Sequence, residues 1–354
     1  MILTSEALPV AADQQESVRE YYGRVLATSA DLKTSACCTA DSLPEHHRAI
    51  VSRIHPEVLE KFYGCGSPIP LELEGRVVLD LGCGSGRDTY LLSKLVGPNG
   101  RVVGVDMTAE QLDVARRHQA YHAEQWGHAE SNVTLLEGYI EDLAALGIAD
   151  ASVDVVVSNC VINLSPDKER VFAEIFRVLK PGGELYFSDV FSGRRVPEAL
   201  RGDPVLLGEC LGGAMYVEDF RRLLRGLGVL DHRVVTRRPL DLTGTEVQAR
   251  AGMIDFHSIT VRAFKLPLED ICEDYGQVAF YLGTIPEAPH AFTLDDHHTF
   301  RTGMPMLVCG NTAAMVADTR FAAHFRVIGD RGVHYGPFAC GPAAEPAAPG
   351  GACC

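Results

Sequence analysis

Val77-Val78-Leu79-Asp80-Leu81-Gly82-Cys83-Gly84-Ser85-Gly86 decides the fold: a short β-branched run ends on an acid-containing pair and opens at once into alternating glycines. An apolar run of this length, bounded by glycine, reads as a strand buried on both faces, which is the habit of parallel sheets. The glycines let backbone approach a ligand, because a side chain there would occupy its space. Their spacing separates two ligand classes. Gly82 and Gly84 begin the Gly-x-Gly-x-x-Gly pattern of dinucleotide sites, but its third position is Arg87, so the pattern fails at the glycine that packs helix onto strand.

Outward from this strand, apolar runs alternate with helical patterns from Gly75 to about Leu266, the signature of a parallel sheet wrapped by helices. Arg101 to Val105, Asn132 to Leu136, Val153 to Val157 and Glu184 to Phe187 continue the series, with further strands expected near Arg233 to Thr236 and Ser258 to Phe264. A helix is expected from Thr108, capped reciprocally with Gln111, to Gly127. A second, Lys168 to Leu179, should stop at Lys180-Pro181-Gly182-Gly183, and a third runs from Val217 to Leu227. Residues 267–340 mix strand and helix signals, and the Pro-, Ala- and Gly-rich residues 341–354 read as a disordered tail ending in cysteines.

Composition removes several functions. A formal charge of −15 opposes nucleic acid as a partner, since its binders carry basic patches. No apolar run approaches the roughly 20 residues of a spanning helix, and Met1 to Ser17 lacks a secretory pattern. Eleven cysteines, an odd count, predict a reducing compartment, with the cytoplasm as the expected location.

The spacing acid-x-Gly-x-Gly-x-Gly resembles motif I of the class I S-adenosylmethionine (SAM) methyltransferases. Asp106, at the end of the second strand, is placed to accept ribose hydroxyls. Tyr139-Ile140-Glu141 after the third strand falls where an adenine would rest, and Leu179-Lys180-Pro181-Gly182-Gly183 matches a further motif of the superfamily. The expected cofactor contacts are Asp80, Gly82, Gly84, Gly86, Arg87, Asp106, Met107, Tyr139, Ile140, Glu141 and Asn159.

A narrower resemblance rests on Thr34-Ser35-Ala36-Cys37, Tyr63-Gly64-Cys65-Gly66, Gly86-Arg87-Asp88, Val157-Ser158-Asn159-Cys160-Val161-Ile162-Asn163-Leu164 and Gly208-Glu209-Cys210-Leu211-Gly212-Gly213-Ala214. Together these stretches are similar to the arsenite methyltransferase family from about Val18 to Leu266, with the Gly-Ala-Cys-Cys ending as a further match. The resemblance implies an α/β, Rossmann-like sheet over residues 76–266 with an arsenic-binding insertion at about 194–250. It further implies a helical or loop segment, 1–75, carrying Cys37 and Cys65, and a small C-terminal α+β region. It makes Cys160 and Cys210 the core ligands of trivalent arsenic and Cys65 a third. Cys37 becomes the redox partner of Cys65, with Cys38 as an alternative, and thioredoxin or glutathione the reductant. A monomer is expected.

The chemistry agrees: trivalent arsenic is soft and selects soft thiolates. Three sulfurs leave its lone pair pointing away from them, as the nucleophile toward a sulfonium methyl. Two rival functions remain open on the residues. One is a carbon methyltransferase acting on a quinone or sterol, and the other a protein that only sequesters metalloid. Structural zinc is disfavoured because no Cys-x-x-Cys pair occurs. Cys83 is expected to pack, Cys272, Cys309 and Cys340 to be buried thiols without a role, and His46-His47 and His297-His298 to be solvated loop residues.

Overall fold

Eight strands build one sheet: β1 (Val77–Leu81), β2 (Arg101–Asp106), β3 (Val133–Glu137), β4 (Val153–Asn159), β5 (Leu179–Ser192), β6 (Met215–Tyr216), β7 (Arg233–Pro239) and β8 (Phe256–Phe264). They come from a computed structural model that describes residues 15–16, 18–19, 43–62, 64, 67–201, 206, 210–242 and 245–340. The order is β3-β2-β1-β4-β5-β8-β7, with β6 beside the end of β5. The pairs among β1 to β5 are parallel, while β8 runs antiparallel to both β5 and β7.

Alternation within the strands sorts side chains onto two cores. Leu79 and Leu81 of β1 pack on one face with Phe172 and Ile175 of the helix Lys168–Val178 and with Phe220 and Leu224 of the helix Val217–Gly226. Val78 faces the other way, toward Tyr90, Leu91 and Val96 of the helix Arg87–Val96. In β4, Val153 and Val155 lie on opposite faces although two residues apart, because the register against β5 shifts between them. Each fully buried side chain of this size stabilises the fold by about 1.5–3 kcal/mol.

Several expectations are corrected. The segment Lys180-Pro181-Gly182-Gly183 does not precede a strand but lies inside β5, held where Gly182 N donates to Lys265 O and Lys265 N to Gly183 O. The helix from Thr108 is broken at His118 into Ala109–Arg117 and Gln119–Trp126, the second ending at left-handed Gly127. The hydroxyl of Thr108 makes no cap. His46 and His47 belong to the helix Glu45–Val51, where burial lowers the His47 pKa to about 4. Among the described residues, no helix is long and apolar enough to cross a membrane.

The chain divides into two units, Met1–Leu266 and Pro267–Cys354. The second contains β9 (Glu273–Asp274), β10 (Gln277–Tyr281), β11 (Ala291–Thr293), β12 (Thr299–Arg301), β13 (Pro305–Val308), the helix Gly310–Ala317, β14 (Phe325–Ile328) and β15 (Gly336–Pro337). Antiparallel β13-β10-β14 forms its sheet, and β11–β12 and β15–β9 form two ribbons. Its core is aromatic, with Phe292 packed against Tyr281, Phe321 and Phe325.

Candidate active site

Strand order reverses between β1 and β4, since the chain leaves β1 outward through β2 and β3 and returns to its other side. In open α/β sheets the crevice beyond the carboxyl ends of such strands receives the ligand. Here that edge presents Gly138, Asp106, Gly82, Cys160 and Asp189, each at or just past the end of its strand's pairing or where β5 leaves β4.

The glycine loop has a defined geometry. Gly82 is left-handed (φ 69°), and a Cβ there would come within 2.3 Å of Val161, so only glycine fits. Gly84 (φ 51°) would meet nothing within 4 Å and leaves open space beside its backbone. Asp106 fixes this loop to β2: Gly84 N donates to one carboxylate oxygen and Thr108 N to the other, both at 2.8 Å. Burial raises the Asp106 pKa, and these N–H donors oppose the rise. Asp80 takes a 2.6 Å hydrogen bond from Thr89, and burial, reinforced by the charge of Asp88, pushes its pKa up to about 7.

Asp80, Gly82, Gly84, Asp106, Met107, Tyr139, Ile140, Glu141, Asn159 and Cys160 all line one cavity. Gly86 does not; it starts the helix Arg87–Val96 from a left-handed conformation. Arg87 also stays out of the lining. Its guanidinium lies 3.8 Å from the Phe62 ring and 3.5 Å from Asp88 Oδ1, and Asp88 faces the cavity in its place. Asn159 donates to the other oxygen of Asp88 at 2.9 Å. Asp80, Asp88, Asp106 and Glu141 are four carboxyl groups against one lining lysine, Lys61, a balance suited to a cationic ligand. The open space at Gly84 and this charge set fit the sulfonium and ammonium groups of SAM.

Cys160 follows β4 immediately, is buried and adopts a left-handed φ of 59°. Cys210 is also buried, has φ 61°, and points its thiol at Cys160 O, 3.4 Å away. Only Glu72 and Ala151 share this conformation among the described non-glycine residues. It costs about 1–2 kcal/mol per residue and persists where surroundings over-determine it. Those surroundings are visible. Cys160 N donates to Ser188 O at 2.8 Å, while Asn163 receives Gly213 against its carbonyl and sends its amide to Val190 O at 2.6 Å and Cys210 O at 3.5 Å. Cys210 is not joined in a disulfide. Cys37, Cys38, Cys65, Glu209, Cys353 and Cys354 lie outside the described residues.

Sequence reasoning missed the polar groups behind these cysteines. Asp189, at the end of β5's pairing with β4, accepts from Asn163 N at 3.1 Å and is pushed by burial up to about 7. Lys168 is lowered to about 8 by burial, against the opposing pull of Asp189 and Cys210. Lys168 carried no signal beyond starting a helix. Asp88 stood in a quoted motif, Gly86-Arg87-Asp88, without a role. Cys83 packs as expected, its thiol pushed up by burial.

A sheet of this order with a glycine loop tied to a strand-end acid defines a class I SAM-dependent methyltransferase. Residues 72–228 match the methyltransferase domain family, and residues 275–343 the arsenite methyltransferase C-terminal domain. The chain is 56% identical over 328 residues to the arsenite methyltransferase of Aquipseudomonas alcaligenes, covering 92% of this chain and 94% of that one. It is 44% identical over 323 residues to the human arsenite methyltransferase, covering 90% and 86%. The crystal structure of CrArsM, an arsenic(III) S-adenosylmethionine methyltransferase from Chlamydomonas reinhardtii, aligns with a TM-score of 0.81 at 54% identity, covering 84% of this chain and all of that one. The chain belongs to the arsenite methyltransferase family, and its reaction is the SAM-dependent methylation of arsenic.

Proposed function

We propose that trivalent arsenic, arriving as arsenite or a thiol conjugate, is held by Cys160, Cys210 and Cys65 and methylated to mono- and dimethylated products, serving arsenic detoxification in the cytoplasm by a monomeric enzyme. The observation that carries this reading is the Cys210 thiol lying against Cys160 at the wall of the glycine-loop cavity. Two buried sulfur-bearing residues in strained backbone, beside a cavity lined by carboxyl groups, are arranged for a soft acceptor next to a cationic donor.

Bound SAM supplies an electrophilic methyl group. The protein's part is positioning. Asp106 and the backbone of Gly82 and Gly84 shape the donor side, Asp88 and Glu141 give it negative charge, and the cysteines aim the arsenic lone pair. No general base is needed, so holding the partners at attack distance provides much of the acceleration. Lys168 carries its positive charge near Asp189 and Cys210. Cys160 must be a thiolate to bind arsenic.

Transfer of the methyl as a cation takes two electrons from arsenic. Cys37 and Cys65 return them by closing a disulfide, with Cys38 able to stand in for Cys37, and thioredoxin or glutathione restores the dithiol by exchange. Purified enzyme incubated with arsenite, SAM and a dithiol is expected to release methylated arsenicals with matching S-adenosylhomocysteine, and Cys160→Ser to release none. Methylation of a quinol with none of arsenite would overturn the reading in favour of a carbon acceptor. Arsenite binding without turnover would reduce it to sequestration.

A further inference from the structure

We propose that the C-terminal unit holds a second arsenic(III) site, formed by the thiols of Cys272, Cys309 and Cys340. One sulfur from each lies within 4.8 Å of the other two, and none of the three is joined in a disulfide. Burial as isolated thiols, the expectation for these residues, is therefore corrected: Cys309 is buried, Cys272 half-buried and Cys340 at the surface.

Separate elements bring them together. Cys272 immediately precedes β9 and Cys340 follows β15, and the pairing of those strands, Glu273 with Pro337 and Asp274 with Gly336, sets the two cysteines at the same end of one ribbon. Phe338 N donates to Cys272 O at 2.8 Å, and Cys340 N to Phe338 O at 2.9 Å, which fixes that end. Cys309 arrives from β13 and caps the helix Gly310–Ala317, its sulfur accepting from Thr312 N at 3.4 Å. A helix N-terminus favours negative charge, and the Arg331 guanidinium, 3.2 Å from where a Cβ on Gly310 would stand, adds positive charge beside it.

The donor set selects the ligand. Three thiolates are soft, so magnesium and calcium are excluded. Structural zinc is almost always four-coordinate, and the described residues bring three ligands to this point. Trivalent arsenic is complete with three. A pyramidal arsenic holds its sulfurs closer together than two opposed bonds would, so the three thiols, now within 4.8 Å of one another, draw inward on binding. Binding arsenous acid replaces three As–O bonds with three As–S bonds. Each thiol proton leaves with a hydroxyl as water, and arsenic remains trivalent. The choice of arsenic rests on the function proposed above.

The test uses full-length protein carrying Cys160→Ser and Cys210→Ser, reduced, exposed to arsenite, gel-filtered and assayed for arsenic and zinc per chain. One retained arsenic is expected, falling at least tenfold when Cys309→Ser is added, and likewise with Cys340→Ser, whose surface position leaves the core intact. Circular dichroism confirms that each variant is folded. Absence of retained arsenic, or retention indifferent to both substitutions, overturns the proposal. So does one zinc per chain that resists arsenite and disappears with Cys309→Ser. Wild type assayed in parallel separates the two readings: arsenic lost with Cys160→Ser but never with Cys309→Ser leaves the catalytic assignment standing and removes this one.

Discussion

Two cysteine clusters in one chain are built on opposite backbone principles. Beside the glycine-loop cavity, Cys160 and Cys210 are both left-handed and deeply buried. Asn163 holds Cys210 and Ser188 holds Cys160, with a half-buried lysine and a buried aspartate near them. In the C-terminal unit, Cys309 has an ordinary φ of −70°, neither of its companions is left-handed, and the cluster rises to the surface at Cys340. Gathering thiols evidently needs no strain, because strand pairing and a helix cap suffice. On the proposed function, the strained conformation belongs to the cluster that also presents its cargo in one direction to a donor, and orientation is what an over-determined backbone provides.

The largest expected effect separates the clusters by one substitution. Cys210→Ser should drop methylation below detection, because a hydroxyl is a hard donor poorly matched to arsenic. The same variant should still retain arsenic through Cys272, Cys309 and Cys340, as measured by elemental analysis. Full methylation by Cys210→Ser would erase the distinction.

A pH comparison comes next. The folded pKa of Asp189, raised to about 7, lies above its unfolded value. The folded state therefore binds the extra proton, and the associated stability is complete below about pH 4 and lost as pH rises through about 7. Asp189→Asn should flatten that part of the melting-temperature profile by several degrees. An unchanged profile would show that the aspartate is not held protonated by burial.

The smallest effect addresses strain itself. At Cys210, glycine relieves a left-handed φ, so Cys210→Gly should be more stable than Cys210→Ala by about 1 kcal/mol. At Cys272, which is not left-handed and stands at no helix end, the order should reverse by about 0.4–1 kcal/mol, because glycine only adds unfolded-state freedom. Urea denaturation of the four variants measures both differences. The same order at both positions would contradict the contrast.

What could be read from the sequence was what is local. The run Val77 to Gly86 and the strand-end Asp106 announce sheet and cavity because strand, turn and acid follow one another along the chain. Cys160 was placed by its position after a recognisable strand. The conformational sign of Cys160 and Cys210 was hidden, because nothing in a cysteine favours φ above zero and the cause lies in Asn163, Gly213 and Ser188. Arg87 was expected at the ligand, but the ring of Phe62 from a distant segment draws it away. The placing of Lys168 near Asp189 and the meeting of Cys272 with Cys340 depend on tertiary contacts that no spacing encodes. The glycines in β5 looked like a stop because antiparallel support from β8 is invisible in the segment itself.

Arsenic-edge X-ray absorption on reduced Cys309→Ser protein, which lacks the C-terminal trio, reports directly on the sulfurs at the cavity. We expect one arsenic per chain bound to three sulfurs, and its loss when Cys210→Ser is added. An identical spectrum and occupancy after that second substitution would contradict the assignment of Cys210 as an arsenic ligand.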